Sequence, residues 1–197
     1  MTSIPTRIVA IIAAFAVLMA ATRFSHFGSA VSLPDASLAI FFLGGLYLSR
    51  YAKLSAYVFA ALILEAGVID YYATSVQGVS DWCLTPAYWF LIPTYGGVWL
   101  IGRWFASRFT LQGKGLLMLV AAAWAANSFA FVSSNAAFYL LSGHFADMRV
   151  ADYAGSVAQY YVSYVSVAML YIACAAAMGM LFGMLNRQAM HSTTDAI

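Results

Sequence analysis

The segment Thr74-Ser75-Val76-Gln77-Gly78-Val79-Ser80-Asp81-Trp82-Cys83-Leu84-Thr85-Pro86 holds a cysteine in a short polar interval between two long apolar runs. Thiolate sulfur is a soft donor and a strong nucleophile, so Cys83 suggests either ligation of a metal or exchange with a disulfide. The second cysteine, Cys174, lies among Ala173, Ala175, Ala176 and Ala177 and reads as an apolar packing residue. Their expected depths in the bundle are too different for a disulfide, and no CxxC redox pair is present.

The neighbours of Cys83 fit either an interfacial aromatic belt or a site for a large planar ligand. Asp81 and Trp82 precede it, and Pro86, Tyr88, Trp89, Pro93 and Tyr95 follow, giving an aromatic rim at the start of an apolar run. Such walls with a few directed polar groups suit a planar ligand. Asp70 and Glu65 lie inside the preceding apolar run, where an ionised carboxylate costs several kcal/mol unless it faces the protein interior. Asp70, nearer the Cys83 loop, is the better ligand contact and could bond a hydroxyl such as that of Tyr88. Tyr72 and His26 are further candidate hydrogen-bonding groups, His26 standing just after the first apolar run. His144 and His191 carry less weight. His26, Cys83 and His144 form none of the compact His/Cys spacings of structural zinc sites, so a four-ligand protein metal site is not expected.

The elements that hold these residues follow from composition. Of 197 residues, 64% are hydrophobic and 8% charged, and the mean hydropathy is +0.84, too little polar surface for a soluble globule. The apolar residues fall into blocks of helical length, predicting six transmembrane helices: Ile4 to Ala21, Ala36 to Ser49, Leu54 to Ala73, Ala87 to Arg103, Leu116 to Leu141 and Val157 to Leu185. The second is short for a span of about 20 residues and would tilt or begin within the preceding loop. The apolar/polar alternation of a membrane barrel is absent, so the fold class is all-α. One integral membrane domain, 1–197, is expected, with no linker or internal repeat.

Charge placement orients this bundle. With six alternating spans, Arg7, Arg50, Lys53, Arg103, Arg108, Lys114 and Arg187 fall on one side, and only Arg23 and Arg149 on the other. Both termini are therefore expected to be cytoplasmic, with the Cys83 loop outside. An alternative treats 1–21 as a cleaved signal peptide, leaving five spans with the other loops oriented as before. The net charge of +2 is that same positive-inside bias, and no basic patch interleaved with aromatics points to nucleic acid. No phosphate-cradling glycine loop is present, so ATP hydrolysis by this chain is excluded and energy must come from a partner, a gradient or trapping.

Together, the small size, the six short helices, Asp70 and the segment Ser80-Asp81-Trp82-Cys83-Leu84-Thr85-Pro86-Ala87-Tyr88 resemble the BtuM family of bacterial vitamin B12 transporters. These are related to the substrate-binding S-components of energy-coupling factor transporters. The resemblance implies an inner-membrane protein that takes up cobalamin, with Cys83 as axial ligand to the corrinoid cobalt and as the group that promotes decyanation of cyanocobalamin. It implies Trp82, Tyr88, Trp89 and Tyr95 as cavity walls and Asp70, His26 and Tyr72 as polar contacts. It also implies that an energy-coupling module could dock on the first helix, where Ala10 and Ala14 form a small-xxx-small pattern like that of Gly179 and Gly183 in the last. Internal packing is the other reading of both patterns. Two other functions fit the residues: an S-component-like transporter of another vitamin, with Cys83 incidental, and a membrane thiol oxidoreductase acting through Cys83. The latter lacks a resolving cysteine on the outer face.

Overall fold

The computed structural model describes residues 4–23 and 33–194, with side chains to residue 184. Seven α-helices occur among them and no strand: α1 Thr6–Arg23, α2 Ser37–Tyr47, α3 Ala52–Ser75, α4 Leu91–Phe105, α5 Lys114–Leu141, α6 Val150–Ala158 and α7 Tyr161–Thr194. Short 3-10 helices, Pro86–Phe90 and Ala106–Arg108, flank α4.

Four of these are long and apolar enough to cross a membrane: α1, α3, α5 and residues Tyr161–Met184 of α7. The other two expected spans take different forms. At a rise of about 1.5 Å per residue, the 11 residues of α2 cover only about 16 Å, half of a hydrocarbon core of about 30 Å. The expected Ala87 to Arg103 helix is a 3-10 turn followed by the 15 residues of α4. The expected Val157 to Leu185 helix is also divided. A turn at Gln159 and Tyr160, with the Tyr160 amide on the Val157 carbonyl at 3.0 Å, separates α6 from α7.

The enclosure of α2 explains its sequence. Ser-Leu-Ala-Ile-Phe-Phe-Leu-Gly-Gly-Leu-Tyr has no polar face, and a helix that is apolar all round is either lipid-facing or buried in protein. Here it is buried: every residue from Ala39 to Leu46 is sequestered, and α2 packs against α1, α3, α4, α5 and α7. Its closest neighbour is α4, which it meets backbone to backbone. A Cβ on Gly45 would collide with the Trp99 carbonyl oxygen, and one on Gly102 with the Phe42 carbonyl oxygen. Glycine allows this approach, as small residues do between membrane helices generally.

Aromatic side chains fill the rest of that seam. Phe41 of α2 stacks on Tyr95 of α4 with ring centroids 4.3 Å apart, and Trp99 reaches across to α3, donating its indole N–H to Ser55 Oγ at 3.1 Å. At one end of the bundle, α1 ends, α2 begins, α3 ends, the Pro86–Phe90 turn leads into α4, α5 ends and α7 begins. The cavity lies at that end.

Candidate functional site

Local sequence puts each side chain of the site in place. After α3, Gly78 adopts a left-handed conformation (φ 68°) that turns the chain back, so that the Val79 amide reaches the Ala73 carbonyl at 3.1 Å. Residues 80–84 then run exposed to Thr85, whose hydroxyl accepts the Ala87 amide at 3.3 Å. With Pro86 in the first turn, this cap starts the 3-10 helix. That helix carries Tyr88 back over Asp70 of α3. At the start of α2, Asp35 Oδ1 accepts both the backbone amide (2.8 Å) and the hydroxyl (2.6 Å) of Ser37, ordering the entry to the buried helix.

At the centre is Arg23, the last residue of α1, only 2% exposed. Its guanidinium grips Asp70 with two bonds, Nε to Oδ1 at 2.9 Å and Nη2 to Oδ2 at 2.7 Å, the fork geometry of the strongest charge-assisted pairs. Nη1 donates to Ser37 Oγ at 2.8 Å and to the Tyr95 hydroxyl at 3.2 Å, and stands 3.6 Å from Asp35 Oδ2. Tyr88 donates its hydroxyl to Asp70 Oδ2 at 2.7 Å. One side chain thus ties α1 to α2, α3 and α4. Breaking such a buried pair by removing one partner costs about 3–5 kcal/mol, because the other charge is left uncompensated.

This network bounds a cavity of about 370 Å³. Arg23, Asp35, Asp70, Tyr88 and Tyr95 supply its polar side, and Cys83, Leu84, Leu91, Phe90 and Phe138 are among its other walls, with Ser134, Asn135 and Tyr164 contributed by α5 and α7. Although exposed as a residue, Cys83 is shielded by these walls. Partial desolvation, with the negative charge of Asp70 second, lifts its thiol above the ordinary range. The sulfur therefore rests protonated at neutral pH, and a bound metal would have to drive the proton off before it could act as a donor. Tyr88 is likewise held protonated, by burial first and by its bond to Asp70 second. No family model matches the chain, and no curated protein sequence does.

The expected site residues divide three ways. Cys83, Asp70, Tyr88 and Tyr95 meet at the cavity. Trp82, Trp89 and Tyr72 do not line it: Trp89 is 72% exposed, Tyr72 lies on an exposed part of α3, and Trp82 is directed to His144. His26 lies outside the described residues. Glu65 is half-buried at mid-span on α3, away from the cavity lining. Cys174, expected as a packing residue, is exposed on α7, and Ala10 and Ala14 are exposed on α1. Among the described residues, no three His, Cys, Asp or Glu side chains come together as a metal site.

Sequence reasoning missed Arg23 and Ser37. The signal for Arg23 was its position: a cation that departs from the positive-inside pattern needs a local partner. The other exception, Arg149, has one too, pairing with Asp152 at 2.8 Å, although that pair is exposed and worth little.

Proposed function

We propose that this protein binds a corrinoid in the cavity and presents Cys83 as an axial ligand to its cobalt, as a step in uptake across a bacterial inner membrane. The observation that carries this reading is a cysteine lining the same cavity as a buried Arg23–Asp70–Tyr88 network. A soft donor, directed polar groups and apolar walls thus share one cavity. Cobalt(III) would act as a Lewis acid that lowers the pKa of the bound thiol, so that its proton passes to solvent. Cys83 Sγ contributes an electron pair to cobalt as its proton departs, and cyanide in the opposite axial position leaves with its own pair and takes up a proton as HCN. The exchange is heterolytic, so no oxidant or reductant is consumed.

At about 370 Å³, the cavity is near the lower end of the about 300–1,000 Å³ of small-molecule sites, less than a whole corrinoid fills. One face of the ring would seat against Cys83, Leu84 and Tyr88, with the remainder over the exposed rim of Trp82 and Trp89. The same volume favours a second reading, a transporter of a smaller vitamin in which Cys83 is incidental. Purification with cyanocobalamin separates the two. A coloured protein with a shifted corrin band, lost in Cys83→Ser, is expected; a colourless wild type, or a Cys83→Ser variant with an unchanged spectrum, would sink the cobalt reading. Transport would draw on a coupling module docked at the Ala10 and Ala14 face of α1, with both termini cytoplasmic.

A further inference from the structure

Cys83 sits in a stretch with little to hold it. Within residues 80–84 the hydrogen bonds are internal, Leu84 amide to Asp81 carbonyl at 2.7 Å and Trp82 amide to Ser80 Oγ at 3.3 Å. Among the described residues, one side chain joins this stretch to another element by a hydrogen bond or ring contact. It is His144, in the turn between α5 and α6.

His144 engages Trp82 twice. The two rings stack with centroids 3.8 Å apart and planes 7° from parallel, and His144 Nε2 lies 3.3 Å from the Trp82 carbonyl oxygen. A carbonyl only accepts, so Nε2 carries the proton. That carbonyl belongs to the peptide plane that continues into the Cys83 nitrogen, and a peptide is rigid. Holding it fixes the plane from which the thiol projects. His144 is itself set by its turn: Ser142 ends α5, Gly143 takes a left-handed conformation (φ 78°), and the His144 amide donates to Ser142 Oγ at 3.2 Å. Phe138, a cavity wall, meets the imidazole edge-on at 5.8 Å.

We propose that His144 is the positioning residue of Cys83, latching the loop to the end of α5 so that the sulfur faces the cavity before any ligand arrives. This deepens the corrinoid reading and rests on it for the purpose of the latch, though the latch itself is measurable without a corrinoid. In its absence the loop turns freely and the thiol spends time in open water.

The test is alkylation of Cys83 in the unliganded protein by a water-soluble maleimide, on a Cys174→Ser background, alongside the corrin spectrum. His144→Ala should speed alkylation by roughly five- to a hundredfold, the range that one neutral hydrogen bond and one aromatic pair support together. His144→Gln, which keeps a donor, and His144→Phe, which keeps a ring, should fall between. On a Trp82→Ala background, which removes the stack but keeps the backbone carbonyl, His144→Ala should add less than it does alone, the signature of residues acting as a pair. An alkylation rate within twofold of wild type in His144→Ala, or full additivity with Trp82→Ala, would overturn the latch. If the latch effects appear but Cys83→Ser leaves the corrin spectrum unchanged, the latch stands and the corrinoid reading fails. If Cys83→Ser abolishes the spectral shift while His144→Ala changes neither readout, the reverse holds.

Discussion

Cys83 is a thiol that the fold keeps from ionising on its own. Burial and Asp70 both raise its pKa, so the thiolate fraction lags behind that of a free cysteine as pH rises. Iodoacetamide should therefore modify the unliganded protein, on a Cys174→Ser background, with a half-point above the ordinary thiol value of about 8.5. Asp70→Asn removes one of the two causes and should move that half-point down. A wild-type half-point at or below the free-cysteine value would contradict this account of the site. If Cys83 ligates cobalt as proposed, saturation with cyanocobalamin should block modification across the whole range, since a sulfur bonded to cobalt is no longer a nucleophile. The residues that compose this environment were only partly legible in the sequence. Asp70, Tyr88 and Tyr95 stood out because polar groups in apolar runs near a cysteine are conspicuous. Arg23 binds partners 47, 14 and 72 residues away, and His144 touches Trp82 across 62 residues. No local spacing announces such contacts.

At the level of elements, the glycine contacts between α2 and α4 bring two helix backbones together with no room for a side chain. Gly45→Ala would drive a methyl into the Trp99 carbonyl, a backbone atom that cannot swing aside, and should destabilise by about 1–3 kcal/mol, the usual range for overpacking. Gly155→Ala in α6, where a Cβ meets nothing, is the matching control and should be neutral or slightly stabilising. Thermal unfolding of the detergent-solubilised protein, comparing the two variants, checks the difference; equal midpoints would show that α2 and α4 have room to separate. The long helices α1, α3 and α5 were legible because a run of apolar residues of that length has few other outcomes. The enclosure of α2 was not, for hydropathy registers dislike of water and cannot tell lipid from protein as the surroundings. The break between α6 and α7 was missed for a related reason: Val157, Ala158, Tyr160 and Tyr161 keep the segment apolar through the turn.

For the whole molecule, the division of labour is between a rigid end and an open face. Arg23 ties four helices together beneath the cavity, while Ala10 and Ala14 lie exposed on α1 with no internal packing to lose. On the proposed corrinoid reading, replacing both alanines by Trp should leave folding and corrinoid binding by the purified protein intact. It should abolish vitamin-dependent growth of a strain that relies on this protein, if a coupling module seats on that face. Undiminished growth would mean that transport proceeds without docking there.

The burial of α2 also bears on how the chain is made. Its closest partner, α4, lies more than forty residues further along, so the ribosome delivers α2 well before the surface that will cover it. During that interval a hydrophobic rod half a bilayer long has only α1 and the emerging α3 for shelter. Assembly of this protein is thus a matter of timing at the translocon: a chain stalled after α3 would present an uncovered Phe41-Phe42 stretch to membrane quality control, and nascent chains of that length should be the species its proteases remove.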